Sequence, residues 1–561
     1  MWQSKLFSTL LLIGFLLLFV RLFDLIIIRG EYYARISQEN RIRRIPIHAP
    51  RGLIFDRNGQ LLATNNEVTK IVRFEKENEI KFVDSSEVDT ARDVKVVQYR
   101  RIYPAAQATA HVLGFVGEAD RGEVERTGCV VDRSVGSIYS LGDKIGRMGV
   151  EASFDCELRG KNGEALVEVD SIGRKVRLLG KLEPKAGEDV HLSIDLDLQQ
   201  RAFSALSGKV GAVVALKPDT GEILALVSSP SFNPEQISQD YPKLAKDSSL
   251  PLFNRAISGA YPPGSTFKIV TAAAGLEDGK IDEGFSFTDP GIIRIGAFSY
   301  ANWYFTQYGK TEGEIDIVRA ITRSTDTFFY KVGEFVGVER LGEWANKFGL
   351  GGKTGIDIGG ETQGLVPTPE WKERARGERW FLGNTYHMSI GQGDISASPL
   401  QIGVMTSVIA SGGKLCTPHV IKNGESQNFQ FPISNFQCEE IGISQKTIDL
   451  ITRGMIGACS SGGTAFPLFN FKVKSMREPI SAPPREIRVA CKTGTAEFGD
   501  PQDRTHAWLT AFGPAENPDV VSEELSKGAI VVTAFVEVGG EGSRIAAPIV
   551  KEILEEWFSK L

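Results

Sequence analysis

The stretch GAVVALKPDTGEILALVSS, residues 211–229, decides the fold. Its two apolar runs, GAVVAL and EILALVSS, flank Lys217-Pro218-Asp219-Thr220-Gly221, a turn of proline, aspartate and glycine, so the spacing predicts a hairpin. Three runs near the far end read as strands too: IRVACKTGTAEF (487–498), HAWLTAFGP (506–514) and AIVVTAFVEV (529–538). Asp195 to Leu206 has helical spacing, and the closing IAAPIVKEILEEWFSKL is an amphipathic helix from about Ile545. Five strands from two distant segments, bracketed by an early and a late helix, predict one antiparallel sheet covered by helices. Residues 240–480, mostly helical in texture, lie between the two groups of strands. The fold class is α+β.

Upstream the texture changes. Residues 140–190 are glycine-rich with short alternating strands, which suits an extended, β-rich pedestal. PIHAPRGLIFDRNGQLLATN (46–65) holds the turn signal Asp56-Arg57-Asn58-Gly59 between two apolar pieces, a second hairpin. Residues 67–98 are charged and turn-poor, a short excursion from this region. At the N-terminus, Leu6 to Ile28 is almost wholly apolar apart from Arg21 and Asp24. As a helix it would measure about 35 Å, enough for a hydrocarbon core of roughly 30 Å. Arg21 and Asp24 are three apart and can pair near one end of the span. No small-x-small cleavage site follows, so the segment reads as an uncleaved anchor rather than a signal peptide. Only Lys5 and the amino group precede it, while Arg29, Arg35, Arg41, Arg43 and Arg44 follow; a literal positive-inside count would put the N-terminus outside. Long domains translocate regardless of such charges, which weakens that objection.

At 561 residues the chain is too long for a single core and implies two or three domains. A formal charge of −6 gives no electrostatic footprint for nucleic acid. The six cysteines (Cys129, Cys156, Cys416, Cys438, Cys459, Cys491) lack C-x-x-C spacing, and sequence leaves open whether they are thiols or disulfides.

The chemistry-bearing residues fall in order along the chain. In SGAYPPGSTFKIV (258–270), Ser265 and Lys268 stand at i, i+3 on the start of a helix, where an unprotonated lysine can activate a hydroxyl. The bland alternative is a helix cap beside a surface lysine. In RSTDTFFY, Ser324 can relay a proton and Asp326 can hold a lysine. Lys492, Thr493, Gly494 and Thr495 lie inside a strand, where a cation and two hydroxyls suit a substrate carboxylate and a glycine admits a close backbone. Each motif alone is weak: Ser411-Gly412-Gly413-Lys414 repeats the first, and Lys353-Thr354-Gly355 repeats the last in a turn setting. Their order and setting carry the weight. S-x-x-K, S-x-D and K-T-G in that sequence mark penicillin-binding proteins and class A β-lactamases.

The chain thus resembles a class B penicillin-binding protein over nearly its whole length. RGLIFDRNG (51–59), RIYPAAQATAHVLGFVG (101–117) and GRMGVEASFDCELRGKNG (146–163) resemble that class's non-catalytic motifs. GAYPPGSTFK, STDTFFY, GQGD (391–394) and ACKTGTAE resemble the elongation-type branch, penicillin-binding protein 2. The resemblance implies a peptidoglycan D,D-transpeptidase acting in elongation, with a division-type enzyme, a β-lactam sensor or a β-lactamase-like hydrolase as alternatives. It implies Ser265 as nucleophile, Lys268 as base and Ser324 with Lys492 as proton relay. Asp326, Thr493, Gly494 and Thr495 are then substrate-binding residues, with the Ser265 and Thr495 N–H groups as oxyanion hole. Trp380 is assigned to the donor cleft, against an equally weighted reading as a core tryptophan. The implied division is 1–29 for a cytoplasmic stub and anchor, 30–189 for a pedestal with its excursion at 67–98, and 190–561 for the transpeptidase domain outside the cytoplasmic membrane. Implied partners are D-Ala-D-Ala stem peptides, β-lactams and a SEDS-type glycosyltransferase with elongation-complex membrane proteins.

Two departures bear on these expectations. The 67–98 excursion is shorter than the head insert of the elongation type. Some relatives carry a zinc site of two aspartates, a histidine and a cysteine; here only Asp289 matches, 294–316 holds no histidine and Thr325 replaces the cysteine. The expectation is no metal and no cofactor. Nor does the chain contain the Glu-x-x-Leu-Asn of class A β-lactamases.

Overall fold

Both faces of the 211–229 hairpin are covered, which is why its strands read as unbroken apolar runs rather than alternating ones. The computed structural model describes residues 2–74, 80–83, 93–120, 122, 139, 143–170, 174–422, 437–479, 481–515 and 528–561. By packing the chain divides into two units. One comprises Met1–Gly52, Asn65–Ile102 and Glu157–Glu188; the other comprises Leu53–Thr64, Tyr103–Cys156 and Asp189–Leu561. Parts of the stretch read as pedestal therefore pack with the larger unit.

In the smaller unit, helix α1 (Trp2–Phe23) runs into a π turn over Asp24–Ile28, closed by the Arg29 N–H on Asp24 O at 2.8 Å, and α2 (Gly30–Arg41) follows. The apolar window Lys5–Ile28 is 24 residues long with none of it buried inside the protein, as an anchor requires. Arg21 pairs with Asp24 at 2.8 Å and Arg29 joins them at 3.3 Å. Strands β1 (Ile42–Ile47), β2 (Gly163–Val169) and β3 (Lys175–Leu182) form a sheet in that order, antiparallel throughout. Ile45, Val167 and Val169 pack there with Val72, Val94 and Val96. Arginines after the anchor meet carboxylates of this sheet: Arg41 with Glu168 at 2.6 Å and Arg44 with Glu164 at 3.3 Å. The 67–98 excursion falls on the strands Leu61–Phe74, Ile80–Val83 and Asp93–Ile102; its residues 75–79 and 84–92 lie outside the described residues.

In the larger unit, the hairpin read at 46–65 pairs Ile54 with Ala63. Its turn aspartate, Asp56, accepts from the Asn58 and Gln60 N–H groups and, through its other oxygen, from Leu196 N. Helix α3 (Leu196–Ala205) thereby begins against that turn, with Asp195 as its N-cap. Strands β4 (Gly211–Leu216) and β5 (Ile223–Ser229) form the quoted hairpin. Helices α4 (Lys268–Glu277), α5 (Trp303–Tyr308), α6 (Ile317–Arg323), α7 (Asp326–Val336), α8 (Leu382–Ser389), α9 (Pro399–Ala410) and α10 (Gln445–Ala458) follow, and β6 (Ala490–Glu497), β7 (Thr505–Gly513), β8 (Ile530–Val536) and α11 (Gly542–Ser559) close the chain. The sheet order is β5-β4-β8-β7-β6, every pair antiparallel.

Alternation sorts the two faces. Val213, Ala215, Val532 and Ala534 pack with Leu198 and Ala202 of α3 and with Ile553, Leu554 and Phe558 of α11. On the other face Gly403 of α9 lies against Val214, Leu216 and Thr533, where a Cβ would stand 3.1 Å from Leu216 Cδ2. A buried ladder of hydroxyls, Thr406–Thr510–Thr533 at 2.8 Å each, fixes α9 to the sheet. Each fully buried Leu, Ile or Phe contributes about 1.5–3 kcal/mol, so this two-sided core holds β6 in register. Cys416–Cys438 and Cys459–Cys491 are disulfides, which answers for these four cysteines what the spacing left open.

Candidate active site

Strand β6 ends the sheet: β7 pairs along one side of it, and no named strand pairs along the other among the described residues. It carries Lys492, Thr493, Gly494 and Thr495. Lys492 is wholly buried, and its Nζ donates to Ser324 Oγ at 2.8 Å and to Thr493 O at 3.0 Å. Lys268, equally buried, donates to Ser324 O at 2.8 Å, Ser324 Oγ at 3.2 Å and Asp326 Oδ1 at 2.6 Å. Two lysines therefore converge on a single hydroxyl, and one of them is paired with a carboxylate. Ser324 reaches it from the left-handed region, φ +56°, as the residue that ends α6. That conformation costs a non-glycine residue about 1–2 kcal/mol, and here it sets Oγ between the two lysine nitrogens.

The electrostatics follow from burial. Desolvation pulls Lys268 below the ordinary lysine range, with the Asp326 carboxylate opposing it. Lys492 is held well below that range, first by burial and then by the charge of Lys268. One carboxylate cannot neutralise two ammonium groups, so the cluster favours a single shared positive charge and one free amine.

Ser265 occupies a 3₁₀ turn, Gly264–Phe267, that precedes α4. The sequence placed it on the first turn of a helix; the tighter turn changes the geometry usefully, since residues i and i+3 eclipse in a 3₁₀ helix. Ser265 is no N-cap, and it is half-buried with an Oγ that has no hydrogen-bond partner among the described residues. Gly264 is required by φ +55° and by β6, whose Thr495 O would stand 3.1 Å from a Cβ. The GQGD stretch supports this turn: Gly264 N–H donates to Gly391 O at 2.8 Å. Oriented by its partners, the Gln392 amide exchanges two 3.2 Å hydrogen bonds with the Glu497 main chain on the open side of β6.

Thr493 Oγ1 lies 2.9 Å from Thr464 Oγ1, while Thr495 is exposed on the edge and its Oγ1 accepts from Gly542 N at 3.5 Å. Gly494 backs onto Trp508 and Pro263, where a Cβ would meet Trp508 Cβ at 2.9 Å. Trp380 is half-buried and donates its indole N–H to Thr385 of α8 at 2.8 Å; among the described residues no hydrogen bond joins it to the lysine cluster. The second Lys-Thr-Gly lies in irregular chain, with the Thr354 N–H and Oγ1 on Glu361, both at 2.6 Å, and no strand follows it over 356–360, where its sequence setting suggests one.

Sequence reasoning missed Asn302 and Trp303. The Trp303 N–H donates to Asp326 Oδ2 at 2.9 Å, and Asn302 Oδ1 accepts from Asp326 N at 3.2 Å. Nothing in the stretch SYANWYF marks either contact, because both are tertiary and one is made by the backbone. Asp289, singled out as a metal-ligand match, accepts four hydrogen bonds here: from Gly291 N, Asn302 Nδ2, Glu312 N and Thr327 Oγ1.

The penicillin binding protein transpeptidase domain matches residues 211–555, and the penicillin-binding protein dimerisation domain matches 76–192. The peptidoglycan D,D-transpeptidase MrdA of Escherichia coli (strain K12) is 32% identical over 99% of this chain and 94% of its own. Among solved structures, a complex of penicillin-binding protein PBP2 with MreC from Helicobacter pylori has a TM-score of 0.73 at 27% identity, covering 92% of this chain and 99% of that one. A peptidoglycan synthase complex that coordinates polymerization and crosslinking has a TM-score of 0.74 at 29% identity, covering 100% and 99%.

Proposed function

The chain belongs to the class B penicillin-binding proteins, in the elongation-type PBP2 branch, and on that premise we propose that it is a membrane-anchored peptidoglycan D,D-transpeptidase working through a serine acyl-enzyme. The observation that carries the reading is the convergence of two fully buried lysines on the Ser324 hydroxyl, one of them, Lys268, paired with Asp326 and standing three residues along the chain from Ser265, whose Oγ has no hydrogen-bond partner among the described residues.

Lys268, in its neutral form, takes the Ser265 proton while Oγ attacks the carbonyl of the penultimate D-alanine. The N–H groups of Ser265 and Thr495 receive the developing oxyanion. The peptide bond breaks, the proton passes through Ser324 and Lys492 to the departing D-alanine amine, and the stem peptide remains esterified to Ser265. An amine of a second stem then attacks the ester, loses its proton to the same relay and leaves cross-linked peptide and a free Ser265. Water in place of the amine gives a D-Ala-D-Ala carboxypeptidase side reaction. Lys492, Thr493 and Thr495 meet the terminal carboxylate, and the donor peptide lies along the open edge of β6.

The anchor spans the membrane with the catalytic unit outside the cytoplasm; two disulfides in that unit favour an oxidising compartment. The catalytic domain begins near residue 190 and the pedestal precedes it. A SEDS-type glycosyltransferase, the partner the family resemblance implies, supplies the glycan strands; the synthase complex this chain resembles coordinates polymerization and crosslinking. Incubating the full-length protein with a D-Ala-D-Ala pentapeptide and an amine acceptor tests the reading. Cross-linked product with one D-alanine released per link is expected; no released D-alanine and no acyl adduct would overturn it.

A further inference from the structure

Beneath the lysine cluster lies a buried polar group that the reaction scheme leaves unused. Asn302 is fully buried, yet each end of its amide has a partner: Nδ2 donates to Asp289 Oδ2 at 2.9 Å and Oδ1 accepts from Asp326 N at 3.2 Å. The next residue adds a third hold, the Trp303 N–H on Asp326 Oδ2 at 2.9 Å. Trp303 is itself fixed, its indole N–H donating to Arg323 O at 2.9 Å and its ring lying 5.4 Å from the Arg323 guanidinium. Asp289, at the root, also accepts from Thr327 Oγ1 at 2.6 Å, so the first turn of α7 is gripped at residues 326 and 327 together.

The two oxygens of Asp326 are thereby made unequal. Oδ2 is taken by the Trp303 backbone, and Oδ1 is left for Lys268 Nζ at 2.6 Å. A carboxylate held at one oxygen and at its own N–H cannot swing away when the lysine gains or loses its proton. We propose that Asn302 is a positioning residue for Lys268, acting through Asp326: it ties the Asp326 main chain to Asp289 and sets the Trp303 N–H on the carboxylate, so that one oxygen stays aimed at the lysine. This rests on the transpeptidase reading above. Asn302 touches no substrate; it acts two bonds away, by fixing the partner of the base.

The geometry also predicts which exchanges are tolerated. Asn302→Ala removes both hydrogen bonds. Asn302→Asp keeps an acceptor for Asp326 N but turns a second carboxylate onto Asp289 Oδ2, replacing an attraction with a buried like-charge contact. Asp289→Asn together with Asn302→Asp restores one donor and one acceptor between the two positions with their direction reversed, at the loss of the Glu312 N–H bond that Asp289 Oδ2 accepts.

The test uses the full-length protein with benzylpenicillin, resolving the non-covalent dissociation constant from the first-order acylation step, alongside thermal unfolding. Asn302→Ala is expected to slow the acylation step by about 10- to 100-fold, the scale of a small misplacement of a reacting group, with the dissociation constant unchanged. Asn302→Asp is expected to be slow as well, and the double exchange to acylate faster than Asn302→Asp. An unchanged acylation step in Asn302→Ala overturns the proposal. So does a double exchange that unfolds like the native protein yet acylates no faster than Asn302→Asp, a result that stands even where Asn302→Ala fails to fold. A native protein that penicillin does not acylate overturns the transpeptidase reading itself, which separates the two failures.

Discussion

Lys268 and Lys492 each hydrogen-bond Ser324 Oγ, so the protonation of one governs the other. Acylation needs the neutral form of the base, and burial moves Lys268 downward from the ordinary lysine range. The groups facing it are Asp326, which resists that shift, and Lys492, whose own value is driven down by the Lys268 charge. The sign is therefore fixed: the acylation rate falls as pH drops through the depressed value, and its acid limb lies below that of a free lysine. A pH series of penicillin acylation checks this, and a limb at the free-lysine value would contradict it. Lys268→Ala should slow acylation by about 10²–10⁴-fold, the usual loss for a positioned base, as measured by the second-order rate of adduct formation. The S-x-x-K, S-x-D and K-T-G residues were legible because their side-chain chemistry is unusual for buried positions and their order along the chain is fixed. Asn302, Trp303 and Thr464 were not, since a buried amide, a backbone N–H and a supporting hydroxyl leave no spacing signature. Trp380, weighted equally between the donor cleft and the core, is half-buried with its indole N–H on Thr385.

At the scale of elements, β6 is held from three sides. β7 pairs along its length, Thr464 meets Thr493, and Cys491, the residue before Lys492, is joined to Cys459 at the end of α10. Closing a loop with a sequence separation of 32 residues removes conformational freedom from the unfolded chain, worth about 3–4 kcal/mol on the chain-entropy account. Replacing Cys459 and Cys491 together by serine should lower the unfolding temperature and slow acylation through a looser Lys492, with differential scanning calorimetry and adduct kinetics as the measurements. Unchanged kinetics would remove the disulfide from the positioning of β6. The strands and both flanking helices were readable within a few residues, because both-face burial leaves long apolar runs and turn residues punctuate them. The 3₁₀ turn at Ser265 was not readable: Pro262-Pro263-Gly264 signals a stop but does not say how tightly the next turn winds, which contact with Gly391 and Thr495 decides.

At the scale of the whole molecule, an exposed apolar span of 24 residues belongs to the smaller of the two units, and the candidate site belongs to the larger. The N-terminal span was plain in the sequence, whereas the allotment of 53–64 and 103–156 to the larger unit was not, since packing across distant segments has no local mark. The anchor predicts that the full-length protein stays with membranes through alkaline carbonate extraction; release into the supernatant would contradict an integral span. The pedestal sequence offers no pair of catalytic carboxylates for glycan synthesis, so purified protein alone should not extend lipid-linked disaccharide, as gel analysis of the products would show. The central claim, that this chain works through an acyl-enzyme on Ser265, is tested most directly by intact mass spectrometry of the full-length protein after penicillin treatment and removal of excess drug, with peptide mapping of the adduct. The account predicts one penicilloyl group, mapped to Ser265, absent from Ser265→Ala and persisting for many minutes because an amine and not water is the designed acceptor. An adduct on another residue, undiminished labelling of Ser265→Ala, or return to the unmodified mass within seconds would contradict it.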